Sequence, residues 1–184
     1  NMGDAQTLSD FIVWGISKYP AKKYAIIFWD HGSGINGFGG DLQFKNDILR
    51  GAEINKAFSD AQIFTNKKFE LIGFDACLMS SIEIADKVKT HGRFMVSSQE
   101  KIQPFGWNYS AILESLNHHP QQNGDNLGKT IADSYFIDSQ YFSDENKVVF
   151  ESQVTSSVID LTKIPHLLND INKLSSYVIE NINH

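Results

Sequence analysis

Two rhythms of apolar residues alternate along this chain. Leu8, Phe11, Ile12, Gly15, Ile16 and Tyr19 recur at helical spacing, which predicts a surface helix entered at Asp4 or Thr7 and ended before Pro20. Residues 24–29 then form an unbroken apolar run, and residues 69–74 form another between polar turns with Glu70 its one charged residue, so both read as buried strands. Helical spacing returns over residues 80–90, a third strand follows at 94–98, and this order predicts a βαβ unit with a right-handed crossover. Residues 103–109 read as a turn with an aromatic cluster, leading into a short helix to about residue 116. Further helices are expected over 126–138 and 163–182. The second carries Ile164, Leu167, Leu168, Ile171, Leu174, Tyr177 and Val178 at a 3.6-residue period. A fourth strand lies within 148–160, most firmly at 155–159, after a loop at 139–146. The glycines of residues 32–40 predict a flexible, mostly structureless loop, followed by a short strand or hairpin at 43–49 and a short helix at 51–58. Strands alternating with helices give a three-layer α/β/α domain with a mainly parallel central sheet.

The length, 184 residues, suits one such domain, able to bury roughly two thirds of its unfolded surface without staples. A formal net charge of -6 argues against nucleic acid as a partner. The single cysteine, Cys77, excludes an internal disulfide and leaves the compartment open. No apolar run reaches the length of a membrane span, and the first residues lack a signal-peptide pattern.

Chemistry concentrates at two strand ends. The run of residues 69–77 delivers Cys77 toward the start of the helix expected from residue 80, where helix-dipole and orphan N–H groups favour a thiolate. The run of residues 24–29 leads into Asp30-His31-Gly32-Ser33-Gly34. A thiol and an imidazole at the carboxyl ends of neighbouring parallel strands stand where open α/β sheets bind ligands. A Cys77 nucleophile with His31 as base and then acid is one reading, and it needs no third member. A small buried hydrophobe at Cys77 is the other. Gly32, lacking a side chain, lets its N–H approach a reacting oxygen. His118 and His119 precede Pro120 in a polar loop with no partner spacing for a metal.

Trp29-Asp30-His31-Gly32-Ser33-Gly34 and Asp75-Ala76-Cys77-Leu78-Met79 closely resemble the two catalytic motifs of the clostripain family (C11) of cysteine peptidases, caspase-fold enzymes that cleave after arginine or lysine. Asn1-Met2-Gly3-Asp4 with Thr7-Leu8, Ile82-Glu83-Ile84-Ala85, Ser97-Ser98-Gln99-Glu100 and Gly106-Trp107-Asn108-Tyr109 extend the likeness over about residues 1–116. The spacing of His31 and Cys77 also fits caspases, whose histidine lies roughly 50 residues before the cysteine, but Asp75 replaces their glutamine.

The resemblance implies Cys77 as nucleophile and His31 as general base and acid, with the N–H groups of Gly32 and Cys77 as oxyanion hole. It implies that Asp75 lines the pocket for a basic side chain, consistent with the charge-assisted bond a carboxylate makes with such a group. A turn or cap role for Asp75 is the alternative. Glu100 is a second acid at the pocket edge or a surface charge, and Trp107 and Tyr109 wall the cleft or fill the core. No cofactor and no metal are expected; some relatives use calcium, and nothing in this sequence locates a site. The expected partners are peptides or proteins with basic residues, and the implied location is secreted or cell-surface. Relatives carry a strand and helix before the Asn-Met-Gly-Asp stretch, so the sheet is expected to pair with a segment outside this chain. Self-cleavage after Lys45, Arg50, Lys67 or Lys68 is implied, with Lys67-Lys68 the most accessible pair. Two rival readings are a catalytically silent peptide-binding module on the same fold and a cysteine-dependent hydrolase or transferase of small amides.

Overall fold

A computed structural model of the chain describes residues 1–141 and 154–182. Helix α1 (Ala5–Lys18) precedes strand β1 (Ala25–Trp29). A hairpin of β2 (Phe38–Asp41) and β3 (Asp47–Leu49) leads to α2 (Gly51–Thr65), β4 (Phe69–Asp75), α3 (Ile82–Val88) and β5 (Gly92–Ser97). Helices α4 (Tyr109–His118) and α5 (Gly124–Tyr141), strand β6 (Ser157–Asp160) and helix α6 (Ile164–Asn181) complete the described elements. The main sheet runs β1-β4-β5-β6, with β1, β4 and β5 parallel and β6 antiparallel to β5.

β4 is buried on both faces from Leu71 onward, with Glu70 half-buried near its start, which is why its apolar residues occupy consecutive positions. Ile72 and Phe74 face one core with Ile12, Ile54, Phe58, Ile84 and Val88 from α1, α2 and α3. Leu71 faces the other with Ile112, Leu127 and Ile131 from α4 and α5. The steps β1 to β4 and β4 to β5 run in one direction across the sheet, so right-handed crossovers must place α2 and α3 on the same face. Their shared core is that arrangement.

An aromatic series locks β1 to β4. The rings of Phe28 and Phe74, directly paired in the ladder, stack at 4.9 Å, and Phe38 and Phe58 meet Phe28 edge-on at 5.3 and 6.1 Å. On the outer side of β1, a groove of about 800 Å³ runs between α1 and the hairpin.

Several elements differ from the sequence expectation. The glycine-rich segment is ordered: Gly32 bridges Phe38, and Phe38–Asp41 is a strand too rich in small residues to show a period. Helix α2 continues past residue 58 to Thr65 and stops where Asn66 adopts the left-handed conformation, a C-terminal signal for asparagine. Helix α5 starts at Gly124 and runs on to Tyr141, so residues 139–141 of the expected loop are helical and the rest of it lies outside the described residues. The fourth strand is confined to Ser157–Asp160, and its expected part at 148–153 lies outside the described residues. In α6 the predicted period holds, with Ile164 buried and Leu167, Ile171, Leu174, Tyr177 and Val178 exposed. Lys45, Arg50, Lys67 and Lys68 are all exposed.

One buried imidazole ties stability to pH. His91 stacks on Phe58 at 5.4 Å, and its Nε2 and Nδ1 meet Asn55 Oδ1 at 2.9 Å and Gln62 Oε1 at 3.3 Å. Burial, with the Lys68 charge as a smaller cause, holds its pKa below the ordinary value of 6.5. The unfolded chain therefore takes up this proton first as pH falls, so the contribution to stability is complete above about pH 6.5 and declines on acidification. Denaturant unfolding between pH 5 and 8 should show this decline, and His91→Gln should flatten it.

Candidate active site

The last registered pair of the β1–β4 ladder is Trp29 with Asp75. Counting two residues onward from each strand reaches His31 and Cys77, so parallel pairing alone brings them to one edge of the sheet. Both line a cleft of about 500 Å³ with Trp29, Asp30, Asp75, Ala76 and the loop residues Lys101, Ile102, Gln103, Pro104 and Gly106.

Gly32 makes the approach possible. A Cβ there would fall 2.2 Å from the Cys77 carbonyl oxygen, 2.9 Å from Met79 Cγ and 3.0 Å from the Cys77 nitrogen. The two backbones touch directly, which any other residue would prevent. Gly39 donates its N–H to the His31 carbonyl at 2.8 Å, and Ser33 donates to Gly37 at 2.9 Å, fixing the histidine segment against β2. Neither the Gly32 nor the Cys77 N–H donates to another described residue. The His31 ring is exposed and its imidazole makes no hydrogen bond with a described residue.

Cys77 is not at a helix N-terminus, contrary to the sequence expectation. Helix α3 starts only at Ile82, capped by Ser81, whose Oγ accepts the Ile84 N–H at 3.3 Å. Residues 78–81 intervene, and Leu78 takes a left-handed turn at φ +64°. The donor at the sulfur is instead the Ile102 N–H, 3.3 Å from Sγ. Tyr135, fully buried on α5, accepts the Gln103 N–H at 3.0 Å and so pins this loop over the cysteine. Nothing in the sequence marks Tyr135 or Ile102 for this, because each sits in an ordinary apolar pattern.

Asp75 is 2% exposed at the end of β4. Its Oδ2 accepts the Trp107 N–H at 3.0 Å and the Tyr109 O–H at 2.9 Å, while its enclosed Oδ1 has no partner among the described residues. Burial pushes its pKa above the ordinary value, and the two hydrogen bonds only partly offset this. Gly106, at φ +66°, lies over the carboxylate so closely that a Cβ would stand 2.7 Å from Oδ2.

Two other expected site residues are placed apart from the cleft lining. The Trp107 ring is 3% exposed in the core with Leu71 and Ile131, and it serves Asp75 through its backbone N–H. Glu100 is exposed, and its carbonyl accepts the Leu78 N–H at 3.1 Å, steadying the turn after Cys77. Lys101 brings a positive charge to the rim. Among the described residues no group of three or more His, Cys, Asp or Glu side chains is placed to hold a metal, and no helix is long and apolar enough to cross a membrane.

The model of the clostripain family matches residues 1–184. Clostripain of Hathewaya histolytica is 28% identical over 135 residues, 63% of this chain and 25% of that protein. A secreted C11 cysteine protease from Bacteroides thetaiotaomicron, solved with an irreversible peptide inhibitor, aligns with a TM-score of 0.74 at 22% identity over 89% of this chain and 47% of its own. A clostripain from the same organism, solved with the peptide inhibitor BTN-VLTK-AOMK, aligns at 0.50 and 22% identity over 71% of this chain and 50% of its own. This chain thus spans about a quarter to a half of these relatives.

Gly32→Ala should separate the two catalytic-motif backbones. The expected cost is about 1–3 kcal/mol of stability, the range for overpacking a tight site, together with a changed rate of Cys77 alkylation. Denaturant unfolding and iodoacetamide labelling would measure both.

Proposed function

We propose, since this chain belongs to the clostripain family, that it carries the catalytic centre of a cysteine endopeptidase that cleaves after arginine or lysine. One observation carries the proposal: a thiol, an imidazole and a buried carboxylate with one unpaired oxygen line the same cleft. The substrate carbonyl carbon bonds to Cys77 Sγ, and the thiol proton passes to His31. The carbonyl oxygen, now negative, takes the N–H groups of Gly32 and Cys77, which donate to no other described residue. His31 returns its proton to the leaving amine as the peptide C–N bond breaks, leaving a thioester on Cys77. Water, deprotonated by His31, hydrolyses that ester and frees the thiol.

Asp75 supplies the selectivity. An enclosed carboxylate is costly unless a cation or donor meets it, so a substrate's ammonium or guanidinium group gains what a neutral side chain cannot. The inhibitor of the Bacteroides clostripain carries the peptide VLTK, in keeping with a basic terminal residue in that relative. No step requires a metal or cofactor. Export is part of the proposal, since a matched relative is described as secreted. Pairing with a segment outside this chain would use the open edge of β1, which has the groove beside it.

Matched fluorogenic peptides with Arg, Lys, Asp or Leu before the reporter test this reading. Cleavage after Arg and Lys alone, abolished by Cys77→Ala, is expected; retained turnover in that variant would refute it. Asp75→Asn should lower kcat/KM for basic peptides about 10- to 100-fold, the worth of one hydrogen bond to a charged group, with a smaller effect on unfolding. Because the Asp75 pKa is raised, KM for basic peptides should climb on acidification at a pH above the usual carboxylate range, as protonation removes the negative charge.

A further inference from the structure

The Asp75 carboxylate is hydrogen-bonded unevenly. Each of its oxygens offers about two lone-pair sites. Oδ2 receives two donors, the Trp107 N–H at 3.0 Å and the Tyr109 O–H at 2.9 Å, whereas Oδ1 receives none among the described residues. The geometry points to Tyr109 as a specificity-determining residue: with the Trp107 N–H it occupies one Asp75 oxygen and leaves the other to take the substrate's cation, so the pocket reads charge rather than guanidinium shape. This inference rests on the acidic-pocket reading above.

The consequence follows from the shapes of the two cations. Arginine owes its usual advantage over lysine at carboxylates to a two-pronged contact, one N–H on each oxygen. Here one of those oxygens is saturated. The guanidinium is reduced to a contact at a single oxygen, which the compact lysine ammonium makes equally well. Rotating the carboxylate would not release a second oxygen, because the buried Trp107 N–H would still need an acceptor.

Tyr109 is not what caps the helix it begins. It is the first residue of α4 and 38% exposed, and the start of that helix is capped by Asn108, whose Oδ1 accepts the Ala111 N–H at 2.8 Å. Its hydroxyl therefore has Asp75 as its partner rather than the helix. Burial and the neighbouring Asp75 charge push its pKa up, so it remains a donor across the working range of pH.

The test uses four matched peptides with arginine, lysine, citrulline or norleucine before the scissile bond, the last two being neutral stand-ins for the first two. They are assayed with the native protein, Tyr109→Phe and Asp75→Asn. The native protein should cleave the arginine and lysine peptides within about tenfold of each other in kcat/KM, and both far better than the neutral pair. Tyr109→Phe frees a lone pair on Oδ2 and should raise the arginine-to-lysine ratio by about fivefold or more, through KM with kcat little changed. Near-ultraviolet circular dichroism of this variant checks that it has folded. A native preference for arginine above about 100-fold, or a ratio unmoved by Tyr109→Phe, would overturn the inference while the loss of basic preference in Asp75→Asn kept the acidic pocket. Equal cleavage of the charged and neutral peptides by the native protein would defeat both.

Discussion

The site depends on the parallel pairing of β1 with β4, held in register to its last residue pair. His31 and Cys77 are distant in sequence and share no element, and it is this ladder that sets them side by side. A slip of one residue would move one relative to the other by about 3.3 Å and turn every side chain of the strand to the opposite face. Phe28 and Phe74 resist that slip, since they stack only when directly paired. The same contact thus closes the core and fixes the spacing of His31 and Cys77.

Asp75 applies the opposite pressure. A carboxylate 2% exposed at the end of a buried strand costs stability, and two hydrogen bonds to one oxygen offset only part of the cost. A fold under selection for stability alone would place an apolar residue there. Asp75 lines the same cleft as Cys77, so under the acidic-pocket reading proposed above a substrate cation would balance that cost.

The strands that lead to His31 and Cys77 were legible in the sequence because both are predominantly apolar, with Glu70 the one charged residue before their ends, and because the residues after them break that pattern sharply. The α/β class and the mainly parallel sheet followed from the alternation of periods. The β2 strand was not legible, since Gly39 and Gly40 carry no side-chain rhythm and its order comes from pairing with β3 and bridging to Gly32. The length of α2 was hidden by Ile63 and Phe64, apolar residues on its exposed side that blur the helical stripe. The donor to the cysteine was misplaced for a different reason. A helix was expected close behind Cys77, but the chain first makes a left-handed turn at Leu78, and the N–H comes from Ile102, far along the sequence. Such a contact belongs to tertiary structure and leaves no local signal. Tyr109 lay within a motif that was noticed, yet its role depends on which oxygen of Asp75 it meets.

Several motif residues outside the strand ends hold the segments that flank the cleft. Asn1 binds Asp47 through its side chain at 2.7 Å, and the Met2 N–H reaches Asp41 at 2.8 Å. Asp4 caps α1 by accepting the Gln6 N–H at 2.9 Å. Those contacts hold the β2–β3 hairpin, which in turn holds the His31 carbonyl through Gly39. On the other side, the Ser98 hydroxyl meets Thr155 at 2.8 Å and donates to the Glu100 carbonyl at 3.0 Å, and that carbonyl anchors the turn after Cys77. The His31 carbonyl and the turn after Cys77 are therefore held by main-chain hydrogen bonds, while the His31 ring makes no hydrogen bond with a described residue. That division would suit the nucleophile and base proposed above, whose hydrogen bonds would have to change during each turnover. It also explains why Gly32 and Gly106 stand beside the two functional side chains. At both positions the backbone comes closer to the chemistry than any Cβ would allow.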